Sequence, residues 1–206
     1  MRANLDWVTA DLAVGGDLAV GGDLDDDIGI WVPQLQEIID AGITHVVDLR
    51  IEANDANIWQ LAKIKYAWLG TNDADGHVVA PEVFDAGVRF ARLAVRDGGK
   101  ILAHCHMGIN RGPSMGFAIL LDRGHSPIEA FDMIRAARPQ AFIAYAQDAL
   151  AAHAPRQLLK GGRPVNLEKQ ARALQKHIDA VLTPSTVGRI RHVMRQNHRR
   201  DLGFSA

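Results

Sequence analysis

At 206 residues, 48% of them hydrophobic and 23% charged, the chain suits one well-cored α/β domain with an appendage. Its single cysteine excludes an intrachain disulfide framework, a CxxC redox motif and a cysteine-rich zinc site, and it fits a reducing compartment, so a cytoplasmic location is expected. The net charge of −1 divides unevenly: residues 151–206 hold eleven Lys and Arg against three Asp and Glu (+8), and residues 1–150 hold twelve against twenty-one (−9).

The opening stretch "MRANLDWVTADLAVGGDL" carries acids early and lacks an uninterrupted apolar core, so no signal peptide is expected. Nowhere does an apolar run approach the roughly eighteen residues of a membrane span. "DLAVGG" stands at 11–16 and again at 17–22; its Gly pairs and aspartates predict turns between short strands, and "DLDDD" at 23–27 a charged loop. In 30–42, Leu35, Ile38 and Ile39 fall at helical spacing, with Pro33 suited to an early turn and Gly42 to the stop. "THVVDLR" at 44–50 predicts a buried strand, 55–65 a short helix, and "YAWLG" at 66–70 a second strand. The polar stretch "TNDADGHVV", 71–79, predicts a loop with an Asp-Gly turn.

Residues 80–100 carry Phe84, Val88, Ala91 and Val95 as an apolar stripe between Pro81 and Gly98-Gly99, an amphipathic helix. "ILAH" at 101–104 predicts a strand, "CHMGIN" a loop, and "RGPSMGFAILLDRG" a helix. A Ser-Pro-x-Glu start predicts another helix over 126–139. A further helix is expected over 140–154. Alternation of strands and helices predicts an α/β fold: a central, mostly parallel sheet of four to five strands with helices on both faces. Beyond a boundary near 156, Leu167, Ala171, Leu174 and Ile178 share one helical face, and the basic end is marginally helical. The expected division is a body over 1–155 and a basic helical extension over 156–206. Such a tail suits docking on an acidic partner or on its own domain, with nucleic acid disfavoured.

The chemistry is concentrated in "ILAHCHMGINRGPS", 101–114. A strand ending in His104-Cys105, a loop, Arg111 and then a helix outline a phosphate cradle. Loop amides before a helix N-terminus favour an anion, and the same field stabilises a thiolate. Gly108 lets the loop curl with positive φ. Arg111 offers a planar fork matched to two phosphate oxygens. The competing reading is a small buried core cysteine.

His-Cys, five residues, then Arg resembles the signature of the protein tyrosine phosphatase superfamily, and its place well inside the chain resembles the dual-specificity branch. The resemblance covers roughly residues 5–153, and "VVDLR" at 46–50 is similar to the strand before that branch's acid loop. It implies a cysteine-dependent phosphatase acting on phosphotyrosine, with phosphoserine or phosphothreonine as further substrates, on a phosphorylated protein or a small phosphomonoester. It implies Cys105 as nucleophile, Arg111 and the loop His106, Met107, Gly108, Ile109 and Asn110 around the phosphate, and an upstream aspartic acid. Asp73 is the first choice for that acid and Asp75, beside Gly76, the second. His104 is expected to orient the loop through a backbone carbonyl. The branch usually has Ser or Thr after the arginine, whereas this chain has Gly112, with Ser114 two residues on. That departure keeps open a catalytically idle phosphate-binding scaffold, and a sulfur transferase with a loop cysteine is a third reading. The loop interior "HMGIN" lacks the lysines of inositide phosphatases. Histidines stand at no HExxH or zinc-finger spacing, and neither a metal nor another cofactor is expected.

Overall fold

A computed structural model describes residues 3–17, 28–159 and 166–201 of the chain. Five strands, β1 (Leu5–Trp7), β2 (Leu12–Gly15), β3 (Ile43–Arg50), β4 (Lys65–Thr71) and β5 (Lys100–His104), form one sheet in the order β1-β2-β5-β3-β4. Only β1, on an edge, runs antiparallel to its neighbour. A parallel strand is covered on both faces, which is why nearly every residue of β3 and β5 is buried rather than every second one.

Eight helices among the described residues cover the sheet: α1 (Ile28–Asp40), α2 (Ala56–Leu61), α3 (Pro81–Arg96), α4 (Arg111–Asp122), α5 (Pro127–Ala137), α6 (Ala146–Leu159), α7 (Leu167–Val181) and α8 (Pro184–Asp201). The period-two alternation of the strands sorts their side chains between two cores. Val14, Val47, Leu49, Ile101 and Ala103 pack with residues of α3, α4, α5 and α6. Ala13, Val46 and Leu102 pack on the other face with Ile38 of α1 and Trp59 of α2.

Several elements depart from the sequence expectation. The helix expected over 140–154 begins only at Ala146, because the amides of Phe142 and Ile143 turn back to the carbonyl of Ile109 and Ile143 adopts φ +59°. Pro33 lies inside α1 rather than in its first turn. In α3 the stripe holds at Phe84, Val88 and Ala91, but the helical repeat then buries Ala94 and leaves Val95 half exposed. The α5 start is as expected, with Ser126 and Glu129 forming a reciprocal capping box. The second "DLAVGG" copy beyond residue 17, and "DLDDD", lie outside the described residues.

The composition shifts near 156, inside α6, which continues through Pro155 to Leu159. The apolar face of α7 packs onto the larger core through Leu167, Ala171, Leu174 and Ile178, and Leu174 is fully buried. Gln147 of α6 donates to the Ala171 carbonyl at 3.1 Å. No helix among the described residues is long and apolar enough to cross a membrane.

Candidate active site

The chain passes from β2 to β3 and β4 on one side and returns to β5 between β2 and β3. In a parallel sheet such a crossing opens a crevice at the carboxyl ends of the strands. The segment His104–Arg111 lies there, between β5 and α4.

Its backbone is turned by its surroundings. The His106 carbonyl accepts from the Asp17 amide at 2.8 Å, and the Ile109 carbonyl from the amides of Phe142 and Ile143 at 2.8 and 3.2 Å. Arg138, buried, donates from Nε to the Gly108 carbonyl at 2.6 Å and from Nη2 to the Met107 carbonyl at 3.1 Å. Four successive carbonyls are therefore bonded outward. In a trans peptide the N–H points opposite to the C=O, so the amides of Met107 to Asn110 turn to the loop's interior. Among the described residues none accepts from them. Amides so turned, at the start of a twelve-residue helix, are suited to receive an anion.

Close approach explains two glycines. Gly108 has φ +66°, and a Cβ there would stand 2.4 Å from Arg138 Nη2 and 2.5 Å from the Gly15 carbonyl carbon. Gly15 belongs to the first "DLAVGG", so that motif floors the loop. Gly112 is fixed by sterics too: a Cβ would lie 2.9 Å from His104 Cα and 3.0 Å from the Ala103 carbonyl oxygen. The first turn of α4 sits too close to β5 for any side chain at 112.

Cys105, 1% exposed, packs among the larger core's residues, as a structural cysteine would. Arg111 departs from that reading, because it is 5% exposed and turned inward. Its Nη1 donates to Glu52 Oε2 at 2.8 Å and to the carbonyls of Leu49 and Thr71 at 3.2 and 3.0 Å, and its Nη2 donates to Glu52 Oε1 at 2.6 Å. Its Nε is buried with no hydrogen-bond partner, 3.5 Å from Asp73 Oδ2. Burial works against the guanidinium's charge, yet the bonds to Glu52 and the charge of that carboxylate hold its pKa above the ordinary value. Burial likewise pushes the Glu52 carboxyl up, but the Arg111 bonds outweigh it and hold that group below its usual range.

The two acid candidates separate. Asp73 Oδ1 accepts from Tyr145 Oη at 2.9 Å and from Asn110 Nδ2 at 3.1 Å, at the mouth of the loop. Asp75 is exposed, in the turn closed by the His77 amide on the Ala74 carbonyl, and bonds no described residue. Ser114 is buried and its Oγ accepts from the Tyr145 amide at 3.2 Å. His106 stays partly exposed, with Nδ1 3.9 Å from Asp17 Oδ2. Met107, Gly108 and Ile109 offer the loop interior their backbone, Ile109 itself being buried.

His104 corrects its expectation. Neither ring nitrogen has a hydrogen-bond partner; Nε2 faces Asp48 Oδ2 at 3.6 Å and the ring stands edge-on to Trp59 at 6.1 Å. Strand register places Asp48 directly beside His104, and the loop carbonyls are already taken by other donors. Beneath the loop, buried Arg50 bonds the carboxylates of Asp48, Asp17 and Asp55, and Tyr66 Oη donates to Asp48 Oδ2 at 2.8 Å.

Sequence reasoning missed Glu52, Tyr145, Arg138 and Asp17, which bond the expected residues from distant parts of the chain. Among the described residues no group of His, Cys, Asp and Glu side chains is arranged to hold a metal ion.

The model of the dual specificity phosphatase catalytic domain matches residues 32–147, more than half of the chain, so the chain belongs to that family of phosphatases. The fold is similar to that of Tk-PTP in its active form (22% identity, TM-score 0.56), covering 73% of this chain and 93% of that one. It is similar to human DUSP28 (20% identity, TM-score 0.58, 85% and 97% covered) and to PTPMT1 solved in complex with PI(5)P (19%, 0.54, 84% and 94%). Among proteins of curated function none matches the chain significantly.

Proposed function

We propose that the protein hydrolyses phosphomonoesters through a cysteinyl-phosphate intermediate, on phosphotyrosine and also on phosphoserine or phosphothreonine. The observation that carries this reading is the ring of amides from Met107 to Asn110, left free because the carbonyls of residues 106–109 bond outward. That ring and the inward guanidinium of Arg111 suit three phosphate oxygens at the start of α4, with Cys105 at the end of β5. The Cys105 thiolate attacks phosphorus, and the bond from phosphorus to the leaving oxygen breaks. Asp73 passes its proton to that oxygen. The resulting carboxylate takes a proton from water as the water oxygen attacks the thiophosphate, releasing phosphate and regenerating the thiolate.

The substrate is a phosphorylated protein or a small phosphomonoester. PTPMT1 was solved with PI(5)P, but the loop interior "HMGIN" here carries no lysine, which favours a less highly charged substrate. Residues 1–155 carry the chemistry in this reading. The basic extension, with α7 braced on α6, leaves the exposed Arg189, Arg191 and Arg195 of α8 to meet an acidic partner. A second reading, phosphate binding without turnover, draws on Gly112, where the hydroxyl usual in the branch is missing. Hydrolysis of p-nitrophenyl phosphate decides: turnover that vanishes in Cys105→Ser supports the enzyme, and vanadate binding without turnover supports the scaffold.

A further inference from the structure

The carboxyl of Asp73 is held asymmetrically. Its Oδ1 receives two donors from separate elements, the Tyr145 hydroxyl at 2.9 Å and Asn110 Nδ2 at 3.1 Å. Its Oδ2 receives no hydrogen bond from a described residue and faces Arg111 Nε across 3.5 Å. A carboxyl oxygen already accepting two hydrogen bonds is a poor place for the proton, so a proton on Asp73 belongs on Oδ2, the oxygen turned toward the phosphate cradle.

Tyr145 is itself over-determined. It is 5% exposed, and its amide donates to Ser114 Oγ at 3.2 Å. Its ring stands edge-on to His77 of the acid loop at 6.1 Å, and Thr71 Oγ1 fixes His77 Nε2 at 3.1 Å. Three residues further, Asp148 accepts the Val79 amide at 2.9 Å and pins the far end of the same loop. Burial, with the neighbouring Asp73 carboxylate, keeps the phenol protonated and thus a donor at working pH.

We propose that Tyr145 is the positioning residue of Asp73: its hydroxyl fixes Oδ1 so that the proton rides on Oδ2, facing the oxygen that leaves. This rests on the reading of Asp73 as the general acid. The residue before α6 therefore sets how well a poor leaving group departs, without touching the phosphate.

The test compares phenyl phosphate, whose leaving oxygen needs a proton, with p-nitrophenyl phosphate, whose leaving oxygen needs little. Asp73→Asn should slow phenyl phosphate about a hundredfold or more and the nitrophenyl ester much less. Tyr145→Phe should lower kcat on phenyl phosphate about tenfold, with KM unchanged and the nitrophenyl rate within about twofold, as misplacement of a reacting group predicts. In an Asp73→Asn background, Tyr145→Phe should add nothing. Equal slowing of both substrates, or a change confined to KM, overturns the Tyr145 proposal while leaving Asp73 as the acid. An Asp73→Asn variant without leaving-group dependence overturns the acid assignment and the proposal with it. Should Tyr145→Phe fail to fold, a fluorinated tyrosine at 145 alone keeps the ring contacts and alters donor strength. An unchanged ratio of the two rates would then sink the proposal.

Discussion

Glu52 grips Arg111 through both terminal nitrogens, Oε2 to Nη1 at 2.8 Å and Oε1 to Nη2 at 2.6 Å, and so leaves Nε as the free edge of the guanidinium, facing Asp73. The two-pronged contact holds the plane of the arginine, which a point charge cannot do. Glu52→Gln should therefore raise KM for p-nitrophenyl phosphate more than it lowers kcat, and Arg111→Lys should cost on the order of a hundredfold or more in kcat. Steady-state kinetics on the two variants checks both.

The same pair carries a pH signature. The Glu52 carboxyl is held below its usual range, because the Arg111 bonds outweigh the effect of burial. A depressed carboxylate contributes stability that is full above its unfolded value, about 4.3, and is lost as pH falls through the lower folded value. Urea melts of the protein and of Glu52→Gln should therefore differ at neutral pH and converge as pH drops below about 4.

Around Arg50 the three carboxylates are not equivalent. Burial pushes Asp48 up, but His104 and Arg50 more than offset it and hold it low, whereas at Asp55 burial prevails and the carboxyl is pushed up. Asp48 thus stabilises the fold at neutral pH, and Asp55 gives back part of what Arg50 gains. Asp48→Asn should cost about 3–5 kcal/mol, the range for breaking a buried ion pair. Asp55→Asn should cost much less. Denaturant unfolding at neutral pH separates the two.

Gly112→Ser tests whether the missing hydroxyl can simply be restored. A Cβ at 112 would stand 2.9 Å from the His104 backbone, so α4 must move away from β5. Overpacking of this kind costs about 1–3 kcal/mol. The variant should melt lower and turn over p-nitrophenyl phosphate more slowly, not faster. Calorimetry and rate measurement together check it.

Legibility in the sequence followed chain distance. Cys105, Gly108 and Arg111 sit in one short segment, so local spacing carried their arrangement, and the compact runs of β3 and β5 announced buried parallel strands. Asp73 stood out among loop residues because a resemblance pointed to its loop, not because its spacing demanded it. Glu52 and Tyr145 carry no local signal: they meet Arg111 and Asp73 only once β3 and α6 converge on the crevice. The helix misjudged over 140–154 has the alanine content of one, but the Ile109 carbonyl recruits two of its amides, a tertiary demand that propensity does not contain. Arg138, next to Pro139, reads as an ordinary helix end and yet supplies two of the hydrogen bonds that turn the loop.

If the proposed chemistry holds, sulfur at residue 105 becomes bonded to phosphorus during turnover. Rapid acid quenching of the enzyme as it consumes p-nitrophenyl phosphate, followed by peptide mass spectrometry, tests it most directly. One phosphoryl group is expected on the peptide containing Cys105, and neither label nor turnover in Cys105→Ser. Turnover that survives that substitution, or a phosphoryl group found on another residue, would contradict it.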